Sequence, residues 1–111
     1  MNITIPEHIL DSPTPVACVG TFATTPGSRE AFLAEVRKIL EPVRAETGCE
    51  AYEFHVADDG TVVLYERWAC GPDLARHGME PQPHLRAYGA AIAGMVEVDS
   101  ITVSWMRPVE R

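Results

Sequence analysis

The sequence lacks the defining features of several large protein classes. Its 111 residues contain only three cysteines, without a CxxC pair or a zinc-site spacing, so neither a disulfide framework nor a structural zinc site is expected. Nine lysines and arginines face sixteen acidic residues, and this balance argues against a nucleic-acid partner. No apolar stretch approaches the roughly 20 residues that cross a bilayer, so no membrane partner is expected.

Phosphate-binding and hydrolase motifs are also absent. The chain has no GxGxxG, no P-loop, no GxSxG and no HExxH. Its first residues hold no basic region followed by a long apolar one, which argues against a secretory signal. We therefore expect a cytoplasmic protein, and most nucleotide-cofactor and hydrolase functions are excluded.

What remains is an acidic chain with a net charge of −7 and 46% hydrophobic residues, of a length suited to one domain. Residues 1–15 hold three prolines and no lysine or arginine, which predicts an extended N-terminal arm. Residues 16–111 are predicted to form a single domain, because a chain of this length can bury a core without disulfides.

Hydrophobic periodicity predicts the order β-α-β-β-α-β within this domain. Residues 16–24 predict a first strand, and an apolar stripe over 28–46 predicts a helix with a kink or break near Pro42. Alternation over 49–57 and 61–69 predicts a hairpin. In the second half we expect a short helix ended by Gly78, a helix begun by Pro83, and a strand over 95–106 with a bulge at Asp99-Ser100.

The register of the hairpin is not settled by this pattern. A two-residue turn at Asp59-Gly60 would set Cys49 opposite Cys70, whereas a three-residue loop would separate them. The first register would permit a cross-strand disulfide, which a reducing compartment disfavours.

The predicted order of elements indicates an α+β ferredoxin-like sandwich, with the helices on one face of a four-stranded sheet. The strands carry apolar residues on both faces, as Val63 and Tyr65 alternate with Val62 and Leu64. Because an uncovered apolar sheet face favours a partner, a homodimer joined through the two sheets is predicted.

The candidate functional side chains cluster between Glu66 and Tyr88. Glu66 and Trp68 stand two residues apart on a strand and therefore share a face, where Trp68 either packs in the core or forms an aromatic wall for a flat ligand. His77 ends a short predicted helix and His84 begins the next. Only Glu66 or Glu80 is available as a third ligand beside the two histidines, and no metal site is predicted.

At these positions the chain resembles the antibiotic biosynthesis monooxygenase family, which includes quinol monooxygenases. The resemblance extends over about residues 16–106, and it depends on the order and spacing of several short motifs. They are, in chain order, Pro42 with Arg44-Ala45-Glu46, Gly48-Cys49-x-x-Tyr52, Glu66-Arg67-Trp68, Leu74-Ala75-x-His77, and Pro83-His84 with Leu85-x-x-Tyr88.

The resemblance implies a homodimeric α/β barrel with a pocket between sheet and helices in each protomer. Members of the family oxygenate small electron-rich aromatics, such as quinols and anthrones, with O2 and without flavin, haem or metal, so no cofactor is expected. A histidine suits the required base because it titrates near neutral pH. By this resemblance His77 is expected to act as the base or as an orienting residue, and Trp68 to stack on the substrate. Glu66 is expected to orient a histidine or to tune its pKa. The rest of the substrate site is expected to comprise Tyr52, His84, Arg86 and Tyr88.

Three other functions fit the same resemblance. A dimeric barrel of this kind could act without catalysis, by binding a small hydrophobic ligand or serving a stress or sensing role. It could also isomerise a substrate by proton transfer without O2. Haem-degrading relatives share the strand tryptophan and the helix histidine, but they also use an asparagine on the first strand. Residues 16–24 contain no asparagine, and Thr21 is the nearest polar residue.

Overall fold

The computed structural model describes residues 4–80 and 82–110, and its elements follow the predicted order with one addition at the start. Residues 1–3 of the predicted arm lie outside the described part. A short helix precedes the first strand, and a single turn of 3-10 helix precedes the last one. The elements are α1 Glu7–Leu10, β1 Val16–Phe22, α2 Arg29–Arg44, β2 Cys49–Val56, β3 Val62–Trp68, α3 Gly71–Met79, α4 Pro83–Ala91 and β4 Thr102–Met106.

The four strands form one sheet in the order β2-β3-β1-β4, and every neighbouring pair is antiparallel. This arrangement confirms the predicted ferredoxin-like α+β fold. Strand β1 lies between β3 and β4, and Cys18 pairs with Glu66 on one side and Trp105 on the other. These three side chains therefore project from the same face, which is the face that the helices cover.

Helix α2 packs its apolar stripe against that face. Phe32, Val36, Ile39 and Val43 are all buried, as their helical spacing predicts. Of the expected kink or break near Pro42, the break does not occur, because the helix runs through Pro42 to Arg44. The chain leaves the helix at this point, and Glu46 follows two residues later.

The hairpin between β2 and β3 has a three-residue loop, Asp58-Asp59-Gly60. The amide of Ala57 donates to the carbonyl of Thr61 at 2.8 Å, and Gly60 takes a φ of +92°, which glycine adopts without strain. This register sets Tyr52 opposite Glu66, and an irregularity near Cys49 sets that residue opposite Trp68. Cys49 and Cys70 are therefore not cross-strand partners, and Cys18, Cys49 and Cys70 are all free thiols.

Two predictions in the second half of the chain are wrong. Helix α3 continues to Met79, so Gly78 lies in its last turn and does not end it. The last strand starts at Thr102, because the slip in apolar phase is taken up by a 3-10 turn over Val98–Ser100 and not by a bulge.

The N-terminal segment folds back onto the domain, although an extended arm was expected. Helix α1 places Ile9 in the core, where only 1% of its surface is exposed. The amide of Gly71 donates to the carbonyl of Ser12 at 2.8 Å, which joins this segment to the start of α3. No helix among the described residues is both long and apolar enough to cross a membrane.

Candidate functional site

A cavity of about 510 Å³ lies between the sheet and helix α4 with the loop that follows it. A volume of this size suits a small organic ligand. The walls are almost entirely apolar. They are formed by side chains of all four strands and α4, including Cys18, Phe22, Tyr52, Phe54, Leu64, Glu66, Tyr88, Ile92, Val103 and Trp105.

Glu66 is the only charged residue among the described residues that line this cavity. Strand β3 holds it beside two donors on the same face of the sheet. The indole N–H of Trp68 donates to Oε1 at 3.1 Å, and the thiol of Cys18 donates to Oε2 at 3.7 Å. A carboxylate in apolar surroundings is costly unless such partners satisfy it, so these donors stabilise Glu66 in place.

His77 lies behind Glu66, between two carboxylates. Its Nε2 is 3.5 Å from Oε1 of Glu66, and its Nδ1 is 3.1 Å from Oε1 of Glu46. The imidazole stacks on the indole of Trp68 with 4.7 Å between ring centroids, and the ring of Tyr52 meets it edge-on. These contacts leave only 10% of the His77 side chain exposed and fix the orientation of its ring.

Glu46 is held by both histidines of the site. Besides His77, Nε2 of His84 lies 2.8 Å from Oε2 of Glu46. Glu46 also lines a second pocket of about 220 Å³ on the outer side of the cluster, together with polar residues from α3 and the segment before α4. The side chain of His84 is 25% exposed and marks the outer end of the cluster.

The buried side chains around Glu66 remain uncharged at neutral pH. Burial raises the pKa of the Cys18 thiol, and the adjacent charge of Glu66 adds to this effect. Burial likewise raises the pKa of Tyr52, again with a contribution from Glu66, and burial alone raises the pKa of Tyr88. The cavity therefore presents two neutral phenols and a neutral thiol around one carboxyl group.

The structure brings most of the predicted site residues together. Glu66, Tyr52 and Tyr88 line the cavity. His77 and Trp68 do not; they stack on each other behind Glu66, and Trp68 is fully buried. His84 joins the cluster through Glu46, whereas Arg86 is exposed on α4 and is not among the lining residues.

Sequence reasoning missed Glu46 and Cys18 as members of the site. Glu46 belongs to the Arg44-Ala45-Glu46 motif at the end of α2, which was the available signal. The spacing of that motif gives no indication of the histidines that contact it. In the described part of the chain, no group of three or more histidine, cysteine, aspartate or glutamate residues is arranged to hold a metal ion.

Comparison with known proteins gives consistent results. The model of the family described as antibiotic biosynthesis monooxygenase matches residues 15–90. The Mycobacterium tuberculosis protein named "Putative monooxygenase Rv0793" is 32% identical over 98 residues, which cover 87% of this chain and 94% of that protein.

The solved structure of Rv0793 superposes with a TM-score of 0.75 at 29% identity and covers 88% of this chain and 98% of its own. The crystal structure of PA3566 from Pseudomonas aeruginosa has a TM-score of 0.74 at 24% identity, covering 86% of this chain and 95% of its own. At that identity the second likeness supports the fold alone.

Proposed function

Because the chain belongs to the antibiotic biosynthesis monooxygenase family, we propose that it is a cofactor-independent monooxygenase that oxidises a small electron-rich aromatic of the quinol or anthrone type with O2. The observation that carries this proposal is the single carboxyl group, Glu66, in the wall of an otherwise uncharged cavity, with His77 directly behind it.

The cavity favours a flat, apolar substrate. Its walls are aliphatic and aromatic, and Phe54, Tyr88 and Trp105 supply ring faces and edges for packing. A substrate that carried its own negative charge would face Glu66 without a compensating cation among the lining residues. A neutral aromatic with an ionisable hydroxyl or activated C–H group therefore fits best.

Glu66 and His77 supply the base. We assign the contact with the substrate proton to Glu66, because it lines the cavity, and His77 supports it from 3.5 Å behind. The substrate gives its proton to a carboxylate oxygen of Glu66 and keeps the electron pair as an anion. Trp68 holds the same carboxylate through its N–H and stacks on His77, so it positions both groups.

The oxygen chemistry balances without an external reductant. The substrate anion passes one electron to O2, and the two radicals combine to form a C–O bond. Protonation and cleavage of the O–O bond then leave one oxygen atom on the substrate and release the other as water. The four electrons that reduce O2 all come from the quinol or anthrone, which is oxidised to a hydroxyquinone or quinone.

Oxygen uptake by metal-stripped protein tests the proposal, with anthrone and a reduced naphthoquinone as substrates. We expect uptake well above that of heat-denatured protein, which corrects for autoxidation. Glu66→Gln and His77→Ala should each reduce kcat by about a hundredfold or more, because each removes part of the base. Glu41→Gln, an exposed change on α2, is the matched control and should keep wild-type activity.

The outcomes separate the reaction from its assigned residues. Oxygen uptake at the wild-type rate by both the Glu66 and the His77 variants would support the monooxygenase reaction and contradict the assigned base. Absence of uptake by the wild-type protein with both substrates would contradict the proposed function.

A further inference from the structure

We propose that Glu66, His77 and Glu46 form a proton relay that connects the apolar cavity to the outer pocket, with His84 positioning Glu46 at its solvent end. This inference rests on the proposed function, since it concerns the fate of the proton that Glu66 takes from the substrate. It assigns a role to Glu46, which does not touch the cavity.

The two carboxylates face opposite environments. Glu66 lines the large apolar cavity, and Glu46 lines the smaller outer pocket with Asp73, Arg76 and Gln82. His77 lies between them and is the only described side chain within 4 Å ion-pair distance of both. The connection between inside and outside therefore passes through one imidazole ring.

The geometry suits transfer through that ring. A histidine can accept a proton at one ring nitrogen and release a different proton from the other. In His77, Nε2 faces Glu66 at 3.5 Å and Nδ1 faces Glu46 at 3.1 and 3.2 Å. The longer separation is within the range that catalytic contacts show before substrate binds and closes the site.

The relay is the route by which Glu66 can lose its proton before O2 reacts, because no other charged group among the described lining residues can accept it. A proton left on Glu66 after substrate deprotonation would neutralise the base. In the relay, Glu66 passes its proton to Nε2 of His77, the Nδ1 proton moves to Glu46, and Glu46 releases it to water in the outer pocket. When O2 is reduced to water, a proton returns along the same path, which restores the original ring tautomer and gives no net proton change per turnover.

The surroundings of Glu46 favour a conducting role over a purely structural one. Its carboxylate meets two histidines, of which His84 lies closest at 2.8 Å. Within the outer pocket, Asp73 and Arg76 pair with each other at 2.9 Å and leave Glu46 to the histidines. The groups that face His77 from the other side are Glu66, Tyr52 and the indole of Trp68.

The test compares oxygen uptake by wild type, Glu46→Gln and Glu46→Asp with anthrone as the probe. We expect Glu46→Gln to lower kcat at least about tenfold with little change in KM, because proton exit becomes limiting while the cavity is intact. Adding imidazole buffer should then raise kcat of this variant in a concentration-dependent manner and leave wild type unchanged. Glu46→Asp keeps a carboxylate at a greater distance from His77, so it should lower kcat less than Glu46→Gln and still respond to imidazole.

The buffer response distinguishes a relay from a structural contact. A fall in kcat that imidazole does not reverse in either variant would overturn the relay, as would wild-type kcat in Glu46→Gln. If Glu46→Gln does not fold, the decision passes to Glu46→Asp, whose lengthened proton path should also make kcat respond to imidazole. Absence of oxygen uptake by the wild-type protein would overturn the proposed function and the relay with it. Wild-type kcat in the Glu46 variants, beside an active wild-type protein, would overturn the relay alone.

Discussion

Glu66 determines the electrostatic character of the cavity, because every other described residue that lines it is uncharged. The same carboxylate affects its neighbours. Burial raises the pKa of Tyr52 and of the Cys18 thiol, and the charge of Glu66 adds to this effect. The thiol and the phenols around Glu66 thus stay protonated, which is why the proposed proton transfer is assigned to Glu66 and the cluster behind it.

The buried tyrosines make alkaline stability the first measurable consequence at this scale. Burial raises the pKa of Tyr52 and Tyr88 in the folded state, whereas a tyrosine in the unfolded chain ionises near pH 10. Above about pH 10 the unfolded state binds fewer protons than the folded state. The free energy of unfolding should therefore be insensitive to these groups below that pH, and fall above it by up to about 1.4 kcal/mol per pH unit for each tyrosine.

Urea unfolding between about pH 8 and pH 11, followed by tryptophan fluorescence, checks this expectation. Tyr52→Phe and Tyr88→Phe should each reduce the alkaline loss of stability. Phe54→Leu, which changes a non-ionisable side chain of the same cavity, is the control and should leave the pH dependence as in wild type. An equal alkaline slope in all four proteins would contradict the argument.

The sequence could predict the local features of the site but not its long-range contacts. Strand alternation is local, so it correctly placed Glu66 and Trp68 on one face. The role of Glu46 depends on His77 and His84, which lie 31 and 38 residues further along the chain. Only the packing of α2, α3 and α4 brings these three side chains together, and no spacing in the sequence contains that information.

At the scale of elements, the N-terminal segment determines how α3 begins. Ile9 and Ser12 come against the first turn of α3, where Gly71 allows the two backbones to touch. Since His77 stands on the same helix, this contact also supports the ring that links Glu66 to Glu46. An extended arm was predicted from the prolines of this segment. Composition alone does not show that a single apolar side chain, such as Ile9, packs in the core.

A pair of glycine substitutions tests this contact. An added Cβ at Gly71 would overlap the carbonyl oxygens of Ile9 and Leu10, which are backbone atoms and cannot move aside cheaply. Gly71→Ala should therefore destabilise the protein by about 3 kcal/mol. Gly89→Ala is the matched control in α4, where nothing lies within 4 Å of the added Cβ, and should stabilise by about 1 kcal/mol.

Urea denaturation of both glycine variants beside wild type gives the two differences directly. Equal stability of Gly71→Ala and wild type would show that the N-terminal segment can separate from α3 without cost. The structural role assigned to that segment would then be wrong.

At the scale of the whole molecule, the two faces of the sheet differ in what covers them. Its helix-covered face holds the cavity and the Glu66–His77–Glu46 cluster. The opposite face carries Val19, Val63 and Tyr65, which are half-buried and belong to neither hydrophobic cluster of the described core. An apolar sheet face of this kind favours a symmetric partner.

We therefore expect a homodimer joined through the open sheet faces, with light scattering after gel filtration giving twice the mass of the chain. Val63→Lys should produce a monomer, because a lysine in the middle of the open face would bring two like charges together across the symmetric interface. Ala34→Lys is the matched control, since Ala34 is exposed on α2 on the other side of the molecule. A wild-type monomer would contradict the prediction, and so would a Val63→Lys variant that remains dimeric. Because the cavity lies on the helix-covered face and Val63 points to the opposite one, a folded Val63→Lys monomer should still bind anthrone.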